Sequence, residues 1–378
     1  MKILIDGISF NLKKTGGVNR YFLGILPYLK KLDKKIEIEF VIRSGIELPA
    51  ASYEGIKIST INEIPISFPK TIFKPLLNPI NQLINNKYWL STNGDIFHST
   101  YYTRHPNTNI PQVITVYDLI YEKYPQFFTG RKNKIFRQNK KEAIESANLI
   151  ICISQNTKKD LLTYYQLDEE KIHVIYPGVN QIFKPITNKI LKDKFLSKYK
   201  IKNPYFLYLG PRGRYKNFLK MIEAYSNWQR SNDFSIIAVG GDKFTQKEIS
   251  FFSKLGLSNK IYNFGYVADQ DLVLFYNCAH AFIYPSLYEG FGIPLLEAMA
   301  CGTLVLASNR SAFPEVGKDS ILYFNPESKE DIVQALNKSL NKSIRNKYIN
   351  KGLQRVRYFS WEKTAKQTLN IYKRLNNL

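Results

Sequence analysis

Short apolar runs alternate with stretches of helical periodicity along most of this chain, and the alternation occurs twice. In the first half the runs are Lys2-Ile-Leu-Ile5, Ile38-Glu-Phe-Val-Ile42, Ile96-Phe97-His98, Val113-Ile-Thr-Val116, Leu149-Ile-Ile-Cys-Ile153 and Val174-Ile175. Between the first two, Gly16-Gly-Val-Asn-Arg-Tyr21 opens a helix that continues through Phe22, Ile25, Leu26 and Leu29. Strands separated by helices of this length predict parallel βαβ units, and hence a doubly wound sheet. After a break near Phe183-Lys-Pro185 and a lysine-rich segment reaching Lys202, the pattern restarts. Its runs are now Tyr205–Leu209, Phe234–Val239, Ile261–Phe264, Ala281–Tyr284, Thr303–Leu306 and Ile321–Phe324. A chain of 378 residues with 44% hydrophobic content is too long for one ordinary core. The expected fold class is α/β, with two Rossmann-like parallel-sheet domains over residues 1–185 and 186–360.

Ligands of open parallel sheets sit outside the carboxyl ends of the strands, so the residues that follow each run are the candidates for chemistry. The richest is Glu289-Gly-Phe-Gly-Ile-Pro-Leu-Leu-Glu297, which follows Ala281-Phe-Ile-Tyr-Pro-Ser. A strand that stops at a Gly-x-Gly turn and restarts as a helix presents unpaired N–H groups to a phosphate or sugar oxygen. Glu289 falls in the loop and Glu297 about two turns into the helix. A second phosphate element is Leu209-Gly-Pro-Arg-Gly-Arg-Tyr-Lys-Asn217, where a glycine-ended strand is followed by Arg212, Arg214 and Lys216. Cations placed this way can clamp a diphosphate as it departs. In the first half, Gly16 and Gly17 precede a helix and form either a close-approach loop or a plain turn. His98 ends one strand, as a site residue or a structural one, and Tyr117-Asp118 ends the next.

Glu-Gly-Phe-Gly with the following Glu-Ala-Met-Ala-Cys-Gly resembles the signature of the retaining GT-B glycosyltransferases of family 4. The resemblance covers nearly the whole chain and is strongest from Tyr205 to Pro326. It implies two domains facing across a cleft, the first holding the acceptor and the second the nucleotide sugar, with a last helix at 361–378 crossing back to the first domain. Carried over by position, Glu289 lies beside the donor sugar, Gly290, Phe291, Gly292 and Ile293 hold sugar hydroxyls and phosphate, and Glu297 takes the ribose. Lys216 meets the diphosphate together with Arg212 or Arg214, since Tyr215 stands where many members have Arg. Gly241 and Val267 lie in the loops that contact the base, and Gly16 and Gly17 face the donor. Tyr117 replaces a donor-touching His, which leaves Asp118 as a sugar or acceptor contact.

The reaction so implied is retaining transfer from a nucleoside-diphosphate sugar to a glycan or lipid-linked acceptor hydroxyl, in bacterial polysaccharide or O-antigen assembly. The leaving phosphate takes the acceptor's proton, so no protein base is required. Ile114-Thr-Val-Tyr-Asp-Leu119 and Arg212-x-x-Tyr-Lys-Asn217 resemble mannosyl- and rhamnosyltransferases, which puts GDP-mannose first among donors and UDP-sugars next. A GT-B-fold nucleotide-sugar epimerase is the competing enzyme. A phosphorylase would need a cofactor-binding lysine motif that the chain does not show.

Neither a cofactor nor a metal is expected. Asp269-Gln-Asp271 has Asp-x-Asp spacing but opens the helix carrying Leu272, Phe275 and Tyr276, so it reads as an N-cap with a first-turn carboxylate. Cys152, Cys278 and Cys301 lie in apolar segments and form neither a disulfide framework nor a zinc cluster, which predicts a reducing, cytosolic setting. The N-terminus reaches Asp6 too soon for a signal peptide, and no apolar run approaches the roughly 18 residues of a membrane span.

The net charge of +23 should attract phosphate-rich partners or an anionic membrane surface, unless it reflects compositional drift. Nucleic-acid binding would follow from charge alone, but no nucleic-acid module accompanies it. Two segments join aromatics to cations: Phe68–Leu77, and Phe127 onward through Arg131-Lys-Asn-Lys-Ile-Phe-Arg-Gln-Asn-Lys-Lys141, with six cations in the latter run. Both suit a lipid-phosphate acceptor at a membrane surface. A core-facing helix with a solvated basic side fits residues 131–147 equally well.

Overall fold

Each half of the chain builds its own parallel sheet in the computed structural model, which describes residues 1–12, 16–44, 46, 55–62 and 83–377. Thr15 and the Phe68–Leu77 run lie outside the described residues. The first unit comprises Met1–Gly178 and Trp361–Leu378, and the second Val179–Ser360. The chain passes between units at Gly178, ahead of Pro185, because residues after Gly178 are fastened to the helix Asp269–Cys278. Phe183 is buried against the Tyr276 ring, and Asn277 bonds both the Lys184 carbonyl and the Ile186 N–H.

The first unit contains β1 (Lys2–Asp6), β2 (Glu37–Arg43), β3 (Lys57–Ile61), β4 (Ile96–Ser99), β5 (Gln112–Val116), β6 (Leu149–Cys152) and β7 (Ile172–Val174). They lie in the order β3-β2-β1-β4-β5-β6-β7, all parallel. The central strands are buried along their whole length, as expected of a sheet covered by helices on both faces. β3 escapes the apolar pattern because it is an edge strand, exposed along most of Lys-Ile-Ser-Thr-Ile.

The helix Gly17–Leu32 buries Tyr21, Phe22, Ile25, Leu26 and Leu29 on one face. The C-terminal helix Trp361–Asn376 packs beside it within the same unit. Gly24 makes this approach possible: a Cβ there would lie 2.3 Å from the Trp361 ring.

The second unit contains β8 (Tyr205–Leu209), β9 (Ser235–Val239), β10 (Ile261–Asn263), β11 (Ala281–Tyr284), β12 (Val305–Ser308) and β13 (Leu322–Phe324). Their order is β10-β9-β8-β11-β12-β13, again all parallel. Phe206, Phe218, Tyr225 and Trp228 anchor the core beneath it. In both sheets the strand order reverses once, between β1 and β4 and between β8 and β11. Such a reversal opens a crevice at the carboxyl ends of the two central strands.

Candidate active site

The two segments expected to meet phosphate leave the second sheet from the two strands that flank its reversal, so residues far apart in sequence converge. After β8 the chain makes a 3-10 turn, Arg214–Lys216, before the helix Phe218–Ser226. After β11 it runs through Ser286 and Glu289 to Gly292, which caps the helix Ile293–Ala300. The loops are tied by the Leu287 N–H, which donates to the Tyr215 carbonyl at 2.8 Å. Lys216 Nζ then lies 2.5 Å from Glu289 Oε1, and Ser286 Oγ donates to the same oxygen at 2.7 Å. The Lys216 and Glu289 side chains are only 11% and 14% exposed.

Gly292 has φ +100, and a Cβ there would meet the Phe313 ring at 2.9 Å. Glycine alone fits that corner, and the helix Ile293–Ala300 starts from it, with Pro294 in its first turn and the Leu295 N–H donating back to the Gly292 carbonyl at 2.9 Å. Glu297 is buried on this helix and accepts from Tyr276 Oη at 3.0 Å. Gly290 and Phe291 occupy the turn itself, with Phe291 buried and its ring set edge-on to Phe359.

The cations divide in an unexpected way. Arg212 is folded inward: its Nε donates to Glu248 Oε1 at 2.7 Å, and Nη2 reaches the Asp242 and Lys243 carbonyls. Its guanidinium also covers the Phe244 ring at 4.7 Å. Burial would raise the Glu248 pKa, but hydrogen bonds from Arg212 and Thr245 hold it below the usual range. One nitrogen, Arg212 Nη1, is buried without a hydrogen-bond partner, 3.4 Å from where a Cβ on Gly241 would stand. Arg214 is exposed on the 3-10 turn. Gly241 follows β9 and Val267 follows β10, and their loops are joined by the Gly240 N–H to the Gly265 carbonyl.

The Asp-x-Asp pair sits in the first turn of its helix, after Ala268 rather than as a cap, and Asp271 bonds Lys198 at 2.8 Å and Tyr199 at 2.7 Å.

In the first unit, His98 must be corrected from a site residue to a core one. It is fully buried, with Nδ1 2.6 Å from Tyr372 Oη and Nε2 2.9 Å from Thr115 Oγ1. Burial pulls its pKa down to about 3. Tyr117 is also turned inward and donates to the Thr100 carbonyl. Asp118 is half-buried, accepts from the Ile120 N–H at 3.1 Å, and offers its carbonyl to Lys140 Nζ at 2.8 Å.

That Lys140 belongs to the basic run but is 1% exposed and paired with Glu122. Four of the six cations, Arg131, Lys132, Lys134 and Lys141, are exposed. Gly16 and Gly17 are exposed, and a Cβ on either would meet nothing within 4 Å. Among the described residues, neither packing nor a left-handed φ requires glycine there.

Several residues at these edges carry little sequence signal. Asp6 ends β1, is buried, and accepts from the Thr100 N–H at 2.5 Å and from Thr103 Oγ1. Burial lifts its pKa to about 7 against the opposing hydrogen bonds of Thr100. Its place as the acid that closes the first apolar run was the available clue. Ser286 and Ser311, which bond Glu289, and Tyr276, which bonds Glu297, had no such marker.

Two parallel α/β units with a glycine-turned helix N-terminus and a Lys–Glu pair at the second sheet's reversal define the GT-B class. Residues 15–181 match the model of Glycosyltransferase Family 4, and residues 191–355 that of Glycosyl transferases group 1. O-antigen chain mannosyltransferase B of Escherichia coli is 29% identical over 71% of this chain and 73% of its own length. O-antigen chain mannosyltransferase RfbU of Salmonella typhimurium is 28% identical over 86% of this chain and 88% of its own. The fold matches that of Anabaena Alr3699/HepE, solved in complex with UDP-glucose, with a TM-score of 0.74 at 18% identity over 100% of both chains. The chain belongs to the group 1, family 4 glycosyltransferases and is a glycosyltransferase enzyme.

Proposed function

We propose that this enzyme moves mannose from GDP-mannose to a hydroxyl of a glycan or lipid-linked acceptor, with retention, in bacterial polysaccharide or O-antigen assembly. The observation that carries the reading is the Lys216–Glu289 contact beside the helix N-terminus at Gly292. The mannosyltransferase relatives support the sugar and the pathway class.

Lys216 and the N-terminus of the helix Ile293–Ala300 meet the charge of the diphosphate, with the inward-folded Arg212 adding its positive charge, and Glu297 takes the ribose. Glu289 stands by the sugar, where positive charge develops as the bond from C1 to the phosphate oxygen breaks. The acceptor oxygen bonds to C1 on the same face, and its proton passes to the departing phosphate.

Titration with GDP, UDP, dTDP and ADP tests the reading, because a ligand of the folded state raises its stability by mass action. Selective stabilisation by GDP, lost in Glu297→Ala, is expected. Selection of UDP would move the donor to UDP-sugars, the class that Alr3699/HepE binds. Turnover unchanged by EDTA is expected, since protein cations and the helix N-terminus carry the charge compensation.

The helix Arg131–Glu145 supports a second element of the reading, peripheral contact of a cytoplasmic enzyme with anionic lipid. It exposes Arg131, Lys132, Lys134 and Lys141 together with half of Ile135, 50% exposed. Among the described residues no helix is long and apolar enough to cross a membrane. Co-sedimentation with phosphatidylglycerol vesicles at low salt, weakened by Arg131→Glu with Lys134→Glu, is the expected result, and no binding would remove this element.

A further inference from the structure

We infer that Ser311 is a positioning residue that sets the backbone of Glu289. The inference rests on the reading that Glu289 faces the donor sugar. Ser311 lies on the loop leaving β12, the strand next to the one that leads to Glu289. It has φ 58, a left-handed conformation that a residue with a Cβ adopts only when something holds it there. What its hydroxyl does there is specific: it accepts from the Glu289 N–H at 3.2 Å and donates to the Glu289 carbonyl at 2.5 Å. One side chain thus grips one residue's backbone at both ends.

The same loop holds the other end of the turn. Two residues after Ser311, the buried Phe313 ring packs under Gly292, at the corner where no Cβ fits. The β12 loop therefore templates the turn from Glu289 to Gly292 at two points. Lys216 and Ser286 hold the Glu289 carboxylate at Oε1, a contact that survives only if the backbone keeps its place. Relaxing the Ser311 grip should move the carboxylate relative to the sugar while leaving the diphosphate contacts of Lys216 and the helix N-terminus in position.

The test compares Ser311→Ala and Ser311→Gly, each alone and with Glu289→Ala. Donor turnover is measured with the nucleotide sugar that the wild type turns over in a GDP-, UDP- and dTDP-sugar panel. Thermal midpoint and affinity for the matching nucleoside diphosphate are measured alongside. Both single variants should lose on the order of tenfold to a hundredfold in kcat, as small misplacements of a reacting group do. They should bind the nucleoside diphosphate as the wild type does.

Ser311→Gly should melt above Ser311→Ala, because glycine carries no penalty at this φ, yet be equally slow. In the Glu289→Ala background Ser311→Ala should cost nothing more. Turnover that recovers with stability in Ser311→Gly, or a full further loss in the Glu289→Ala background, would overturn the inference. Wild-type turnover in Ser311→Ala beside an inactive Glu289→Ala would defeat the positioning role alone. Wild-type turnover in Glu289→Ala would instead defeat the donor-site reading.

Discussion

Lys216 Nζ and Glu289 Oε1 stand 2.5 Å apart although 73 residues separate them in the chain. Their contact exists because β8 and β11 are neighbours in the sheet, at the point where the strand order reverses. An ammonium and a carboxylate held this way are preorganised for a ligand that carries negative charge at one end and develops positive charge at the other.

Lys216→Met should therefore lower kcat/KM by roughly a hundredfold to a thousandfold, the usual scale for removing one charge-stabilising donor. Glu289→Gln should keep affinity for the nucleoside diphosphate while kcat falls. Steady-state kinetics with a calorimetric titration separates the two, and equal loss of nucleotide affinity in both variants would contradict the division of roles.

Two buried groups of the first unit give opposite pH signatures. Asp6 titrates at about 7 in the folded protein and near 4 when unfolded. Between those values the folded state keeps a proton that the unfolded state has released. The Asp6 contribution to stability accordingly falls as pH rises from about 4 to about 7 and is flat above.

His98, lowered to about 3 from an unfolded value near 6.5, costs stability as pH falls through that interval. Urea unfolding of wild type, Asp6→Asn and His98→Gln across this range should show the two differences sloping in opposite senses. A pH-independent difference for either variant would mean that its group is not perturbed by burial.

Lys140 distinguishes a structural cation from a surface one. It bonds the Asp118 carbonyl and Glu122, whose other oxygen accepts from Tyr165 Oη. Lys140→Met should cost about 3–5 kcal/mol by leaving Glu122 buried without its cation. Lys132→Ala, on an exposed position of the same helix, should stay within about 0.5 kcal/mol. Equilibrium unfolding of the two variants is sufficient to decide.

Gly24→Ala should destabilise by about 1–3 kcal/mol or more, since the new methyl would enter the Trp361 ring. Trp361→Leu should relieve part of that loss when combined with Gly24→Ala. Simple additivity of the two substitutions would show that the helix packing is not fixed at this contact.

What the sequence by itself determined was the repeated strand-helix alternation and the glycine-turned helix start at Gly292, because continuous apolar runs and a Gly-x-Gly corner have few other solutions. It also carried the family signature on Glu289 and Glu297. It did not show β3, whose edge position removes the need for an apolar run.

Nor could it say which strand-end polar groups point into the protein. His98 and Asp6 both end a central strand, yet His98 is bonded to Tyr372 and Thr115 in the core, and Asp6 holds the loop after β4. Lys140 reads as one more cation in a basic run, and Ser311 as an ordinary loop serine. Only the tertiary structure decided their roles, because each depends on a partner brought in by strand order and helix packing, at a separation along the chain that local pattern does not encode.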